Sequence, residues 1–184
     1  MRVLLTGGTG FVGRQVLVRL LEKKCEVRLV VRELGATVPG VEQIVINDLF
    51  TMPSEALEEL CLGIDVIIHA AWYAVPGEYL RSNENITCLT GSLLFAKAAI
   101  VSGVKRFVGI GTCYEYDLSG GYLRSDTPLM PATLYGACKA SLFLTLAKLM
   151  ENETLSFAWC SLFYLHGEGE DERRLVPYIR ACLA

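Results

Sequence analysis

The sequence predicts an α/β fold, a doubly wound parallel sheet with helices on both faces, and three observations carry that expectation. Apolar runs alternate with helical segments from one end of the chain to the other. The candidate strands read as near-continuous Val, Ile and Leu rather than as an alternation, which is the pattern of strands buried on both faces. The first strand runs straight into a glycine cluster and then a helix, MRVLLTGGTGFVG. A composition of 52% hydrophobic and 20% charged residues over 184 residues suits one domain with a sizeable core.

Taken in order, Arg2 to Thr6 form a short buried strand with its apolar run at 3–6, and Gly7, Gly8, Gly10 and Gly13 punctuate a turn. A helix over 10–22 follows, with apolar positions at Val16, Leu17, Leu20 and Leu21. Further strands fall at 26–31, 43–46, 66–69, 106–110 and 156–162, and further helices at 54–61, 84–101 and 133–152. Residues 114–132 make a loop long enough to suggest a binding role. The stretch 173–184 carries a helical pattern with no Gly or Pro terminator, so the chain reads as cut short there.

Composition excludes several function classes. A formal charge of −3 without a basic stretch argues against a nucleic-acid surface. The chain starts with a strand rather than a charged and then apolar leader, and Lys139 and Lys148 bracket the greasy run at 142–150, so neither a secretory signal nor a membrane span is expected. Seven cysteines scattered singly, with no CxxC pair, fit buried reduced thiols in a cytoplasmic protein. With only two histidines, no metal site is expected.

A strand, a glycine turn and a helix in that order form a phosphate cradle for a dinucleotide. Gly7 allows the tight turn and Gly10 admits the pyrophosphate. Gly13 lets the helix pack close, and the helix start at Phe11, Val12 and Gly13 offers unpaired N–H groups. The second strand ends in Val30-Val31-Arg32-Glu33. Arg32 can pair with a 2′-phosphate, which points to NADP; in the alternative Arg32 is a solvated charge and Glu33 takes the ribose of NAD. Asp48 can accept from the adenine amino group while Leu49 packs on the ring, or Asp48 merely starts a turn. Ala70 and Ala71 leave room for the cofactor backbone, and His69 reads as a strand-end packing residue.

Tyr135 and Lys139 stand four apart on a helix and so face the same way. A phenol is a poor base at neutral pH, and a neighbouring ammonium favours the phenolate and brings proton transfer within reach. Thr112 follows the end of a strand, where open α/β sheets bind ligands, and its hydroxyl can polarise a carbonyl or simply satisfy a turn. Tyr114, Glu115 and Tyr116 are expected to line the substrate side.

These residues resemble the extended short-chain dehydrogenase/reductases, the NAD-dependent epimerase/dehydratase family. The matching motifs are TGGTGFVG, Asp48-Leu49, HAA at 69–71, Thr112 with Tyr116, and YGACK at 135–139. The resemblance implies a Rossmann-type fold, a nicotinamide cofactor, a nucleotide-sugar substrate, and Thr112, Tyr135 and Lys139 as the catalytic triad, with Lys139 also holding the nicotinamide ribose. It further implies residues 1–184 as a single NAD(P)-binding domain, with 165–184 the start of a C-terminal substrate lobe otherwise largely absent. Cys113-Tyr114 stands where the family's dehydratases carry an acid pair, so a 4-ketoreductase or epimerase is expected. The resemblance also implies that two copies can pair through the helices at 84–101 and 133–152, whose apolar faces could equally be buried core. Two alternatives stay open: a non-catalytic sensor or scaffold, and a fragment that binds cofactor without turnover.

Overall fold

The computed structural model describes residues 1–183. Its strands are β1 (Arg2–Thr6), β2 (Glu26–Val31), β3 (Val41–Val45), β4 (Val66–His69), β5 (Arg106–Thr112) and β6 (Ser156–Leu162). Its helices are α1 (Phe11–Glu22), α2 (Ser54–Cys61), α3 (Glu84–Val101), α4 (Leu134–Met150) and α5 (Leu175–Leu183). The six strands form one sheet in the order β3-β2-β1-β4-β5-β6, every neighbouring pair parallel. The order reverses direction between β1 and β4, so the C-terminal ends of these strands open onto a crevice.

Alternation within each strand divides the core into two layers. Leu4, Ile67 and Phe107 face the side covered by α2, α3 and α4, where Leu57, Phe95, Leu142 and Leu146 meet them. Val3, Leu5, Val27 and Leu29 face the other side, against Val16, Leu17 and Leu20 of α1. Each such side chain stabilises the fold by about 1.5–3 kcal/mol relative to exposure. α3 is long and apolar enough by composition to cross a membrane. Here it is a core helix: Cys88, Ser92, Phe95, Ala96 and Ala99 are buried, while Ile86, Leu94 and Val101 are exposed. Five of the cysteines are buried, and Cys160 and Cys182 are exposed.

α1 and α4 lie within one or two residues of their expected ends, and two strands differ from expectation, of which one matters. β3 lies at Val41–Val45 rather than 43–46, because Val27 to Val31 pair with that stretch. β5 runs on to Thr112 rather than ending at residue 110, because Gly111 and Thr112 pair with Ser161 and Leu162 of β6. That long-range pairing places Thr112 at the crevice. Along β6, Phe157 and Trp159 stack on Phe143 of α4, whereas Ala158 and Cys160 on the opposite face are exposed.

Candidate active site

Backbone makes the first part of the site. Gly7 has φ +69°, and a Cβ there would stand 2.6 Å from the Ala71 nitrogen, so glycine lets the β1 turn lie against the end of β4 at Ala70 and Ala71. Gly10 N–H donates to the Gly7 carbonyl at 3.0 Å. A Cβ on Gly13 would fall on that same Gly7 carbonyl oxygen, which is why α1 can start so close to the strand. No side chain among the described residues caps the start of α1, and its first turn carries no acid. Phe11 and Val12 are half-buried there. The free amides and the positive end of the helix dipole suit an anionic phosphate.

Beneath this turn lies a buried polar relay. Ala71 N–H donates to the Thr6 hydroxyl at 3.2 Å, and that hydroxyl lies 2.8 Å from His69 Nδ1. His69 Nε2 lies 2.8 Å from the Ser92 hydroxyl. Burial pushes His69 down to about 3, with the charge of Lys139 acting the same way, so the ring is neutral and structural. Arg32 is exposed just beyond β2. Asp48 caps a 3₁₀ turn, accepting from Phe50 N–H at 2.9 Å and from the Thr51 hydroxyl at 3.0 Å. Leu49 is 7% exposed and packs in the main core, so only an edge of it faces outward.

Side chains make the second part. Thr133 caps α4 by accepting from Gly136 N–H at 3.1 Å, and Tyr135 N–H donates to the Leu80 carbonyl at 3.2 Å. The Tyr135 ring lies among Tyr79, Tyr114 and Trp72 at 4.9, 6.2 and 6.4 Å between centroids. One turn on, Lys139 is buried, donates to the Ile110 carbonyl at 2.8 Å, and has its ammonium 3.8 Å from the centre of the Trp72 ring. Trp72 is held in turn by its indole N–H on Asn85 Oδ1 at 2.8 Å, while Asn85 Nδ2 donates to the Tyr79 and Ser82 carbonyls. Thr112, Tyr135 and Lys139 thus meet at the C-terminal edge of β5. A cavity of about 330 Å³, lined by Cys113, Leu118, Gly121, Tyr122, Leu123, Phe163 and Tyr164, takes in none of the three and reaches them only through Cys113, next to Thr112. A larger one of about 680 Å³, between α1 and residues 165–168, shares no lining residue with it.

Two expectations are corrected. Tyr135 is not shifted towards the phenolate: burial pushes it up to about 12, and only hydrogen bonding with Thr112 pulls the other way. Lys139 does not offset that burial: it points at the Ile110 carbonyl under Trp72, and burial lowers its own pKa to about 7. Glu115 does not line the substrate side. It is fully buried, accepting from Thr112 N–H at 2.7 Å and from the Trp159 indole at 3.1 Å. Thr112 does satisfy a turn, accepting from Tyr114 N–H at 3.3 Å. Sequence reasoning missed Trp72 and Trp159; an indole directly after the small pair Ala70-Ala71 is the one local signal that could have marked Trp72.

Comparison with known proteins supplies an independent view. The model of the NAD dependent epimerase/dehydratase family matches residues 3–184. A dTDP-6-deoxy-L-talose 4-dehydrogenase (NAD(P)(+)) of Kitasatospora kifunensis is 30% identical over 99% of this chain and 58% of its own. A dTDP-6-deoxy-L-talose 4-dehydrogenase (NAD(+)) of Aggregatibacter actinomycetemcomitans is 24% identical over 91% of this chain and 63% of its own. Among solved structures, a dTDP-glucose 4,6-dehydratase from Streptomyces venezuelae with NAD bound superimposes with a TM-score of 0.81 at 22% identity, covering 100% of this chain and 62% of the other. The chain therefore spans about 60% of the length of these proteins, whose coverage is 58%, 63% and 62%.

Proposed function

The chain belongs to the NAD dependent epimerase/dehydratase family, and from that premise we propose that it serves a nicotinamide-dependent oxidoreduction at C4 of a nucleotide sugar, with NADP preferred. The observation that carries this reading is the meeting of Thr112, Tyr135 and Lys139 at the edge of β5, on the same crevice as the uncapped start of α1. The glycine turn and the free amides of α1 fit a pyrophosphate, and Arg32, exposed beyond β2, fits a 2′-phosphate. When bound, a nicotinamide dinucleotide supplies the hydride or takes it up.

The chain's own groups handle the proton. With its pKa raised to about 12, Tyr135 rests as the neutral phenol, which donates a proton to a sugar ketone oxygen as C4 is reduced. In the reverse oxidation the phenol first loses its proton to solvent and the phenolate then takes the sugar hydroxyl proton, so that direction speeds up as the pH rises. Thr112 offers a hydroxyl to the same oxygen. Lys139, whose pKa burial lowers to about 7, is held on the Ile110 carbonyl one helical turn from Tyr135. The names of the two talose 4-dehydrogenases favour a dTDP-6-deoxyhexose and net oxidoreduction over epimerisation.

The test uses dTDP-6-deoxy-L-talose with NADP⁺ or NAD⁺, read by absorbance of the reduced cofactor, beside NADPH binding read by fluorescence. Wild type should accumulate reduced cofactor. Tyr135→Phe should lose turnover and keep NADPH affinity within about twofold, since the phenol hydroxyl acts on the sugar oxygen. Retained turnover in Tyr135→Phe would refute the assignment.

A further inference from the structure

We propose that Glu115 is a positioning residue of the proton-transfer site, its buried carboxylate fixing the end of β5 from which Thr112 and the acceptor for Lys139 both act. The inference rests on the reading of Thr112, Tyr135 and Lys139 given above.

Three observations carry it. Both carboxylate oxygens are occupied, Oε1 by Thr112 N–H at 2.7 Å and Oε2 by the Trp159 indole N–H at 3.1 Å. A Cβ on Gly111 would stand 2.7 Å from Oε1 and fall on the Trp159 indole nitrogen, so carboxylate and indole both lie against the Gly111 backbone. Ile110, on the other side of that glycine, supplies the carbonyl that binds Lys139 at 2.8 Å. The carboxylate thus bonds Thr112 and lies against Gly111, and the residues on either side of that glycine are Thr112 itself and Ile110, whose carbonyl binds Lys139.

The charge itself needs a reason. Two N–H groups need two acceptors, which a carboxylate supplies and a glutamine does not, but burial still disfavours the charge and raises the Glu115 pKa. Lys139 is also buried, and the charge of Glu115 holds its ammonium up against that burial. The groups facing Lys139 are Glu115, Cys88 of α3, the neutral His69 of β4, and the rings of Trp72 and Trp159, the latter 5.9 Å away. Those facing Tyr135 are Thr112, Tyr79, Cys113 and the same Glu115.

The experiment titrates Lys139 by NMR of ¹³Cε-labelled lysine, assigned by the signal lost in Lys139→Met, in wild type and Glu115→Gln. The amide of Gln would set a donor against the Trp159 indole, so Glu115→Gln/Trp159→Phe is compared with Trp159→Phe as a second pair. The expected result is a normal circular dichroism spectrum and a Lys139 midpoint lowered by about one pH unit on loss of the charge. With dTDP-6-deoxy-L-talose and NADP⁺, kcat should fall roughly tenfold or more while KM stays put. An unmoved Lys139 midpoint in both pairs overturns the proposal, and so does loss of the fold in both Gln variants. A shifted midpoint in a wild-type protein that leaves the sugar untouched supports the placement of Glu115 and overturns the functional reading instead.

Discussion

At the β1–α1 turn the site is lined by backbone, whereas at the β5–α4 edge it is lined by side chains, and the two regions depend on neighbours in opposite ways. The turn works by having nothing attached: Gly7 and Gly13 sit where any Cβ would strike the main chain, and α1 begins with no side-chain cap. The β5–α4 edge works by crowding. Thr112, Glu115 and Lys139 are buried there, among the rings of Trp72, Tyr114 and Trp159. A backbone site tolerates change in the residues around it and none in its glycines. A side-chain site is tuned by every neighbour that sets its burial.

The largest expected effect breaks the backbone half. Gly13→Val places a branched side chain on the Gly7 carbonyl, and the overpacking should lower NADPH affinity by roughly a hundredfold or more, equivalent to about 3 kcal/mol. Titration of NADPH fluorescence reads this directly, and near-normal affinity would mean that the turn is looser than its geometry indicates.

A smaller effect comes from the relay beneath that turn. His69 titrates at about 3 when folded, well below the ordinary histidine value of 6.5. Its contribution to stability is therefore whole above pH 6.5 and is lost as the pH falls from there towards 3, with a limiting slope of about 1.4 kcal/mol per pH unit. Urea unfolding at a series of pH values measures the slope, and His69→Asn should flatten it whatever happens to the absolute stability. An unchanged slope in that variant would place the acid sensitivity elsewhere.

The smallest effect probes the one side chain assigned to the backbone half. Arg32→Ala should weaken NADPH by about tenfold and leave NADH where it was, as expected for loss of one exposed charge-assisted contact to a 2′-phosphate. Equal losses for both cofactors would return the ribose to Glu33.

The same contrast explains what could be read in advance. The glycine turn, β2, β4, α2 and α3 were legible because each is written locally, in a glycine spacing or in an apolar period. The end of β5 was not, since Gly111 and Thr112 become strand only by pairing with Ser161 and Leu162, far along the chain. Tyr135 and Lys139 could be placed on one helix face from their spacing. Their ionisation could not, because it depends on Trp72 over the ammonium and on how deeply the phenol is packed. Glu115 was expected on the open side for its nearness to Thr112. The 3₁₀ turn over Cys113–Glu115 rotates it inward instead, and a turn of three residues leaves no periodicity to read.

The chain has two tryptophans, and their rings lie 3.8 and 5.9 Å from the same lysine nitrogen. All of its indole emission therefore arises within a few ångströms of the chemistry, so an unlabelled sample carries its own optical probe. Arrival of a ligand or a change in the charge of Lys139 registers as a change in the colour and intensity of that emission, with no background from elsewhere in the molecule.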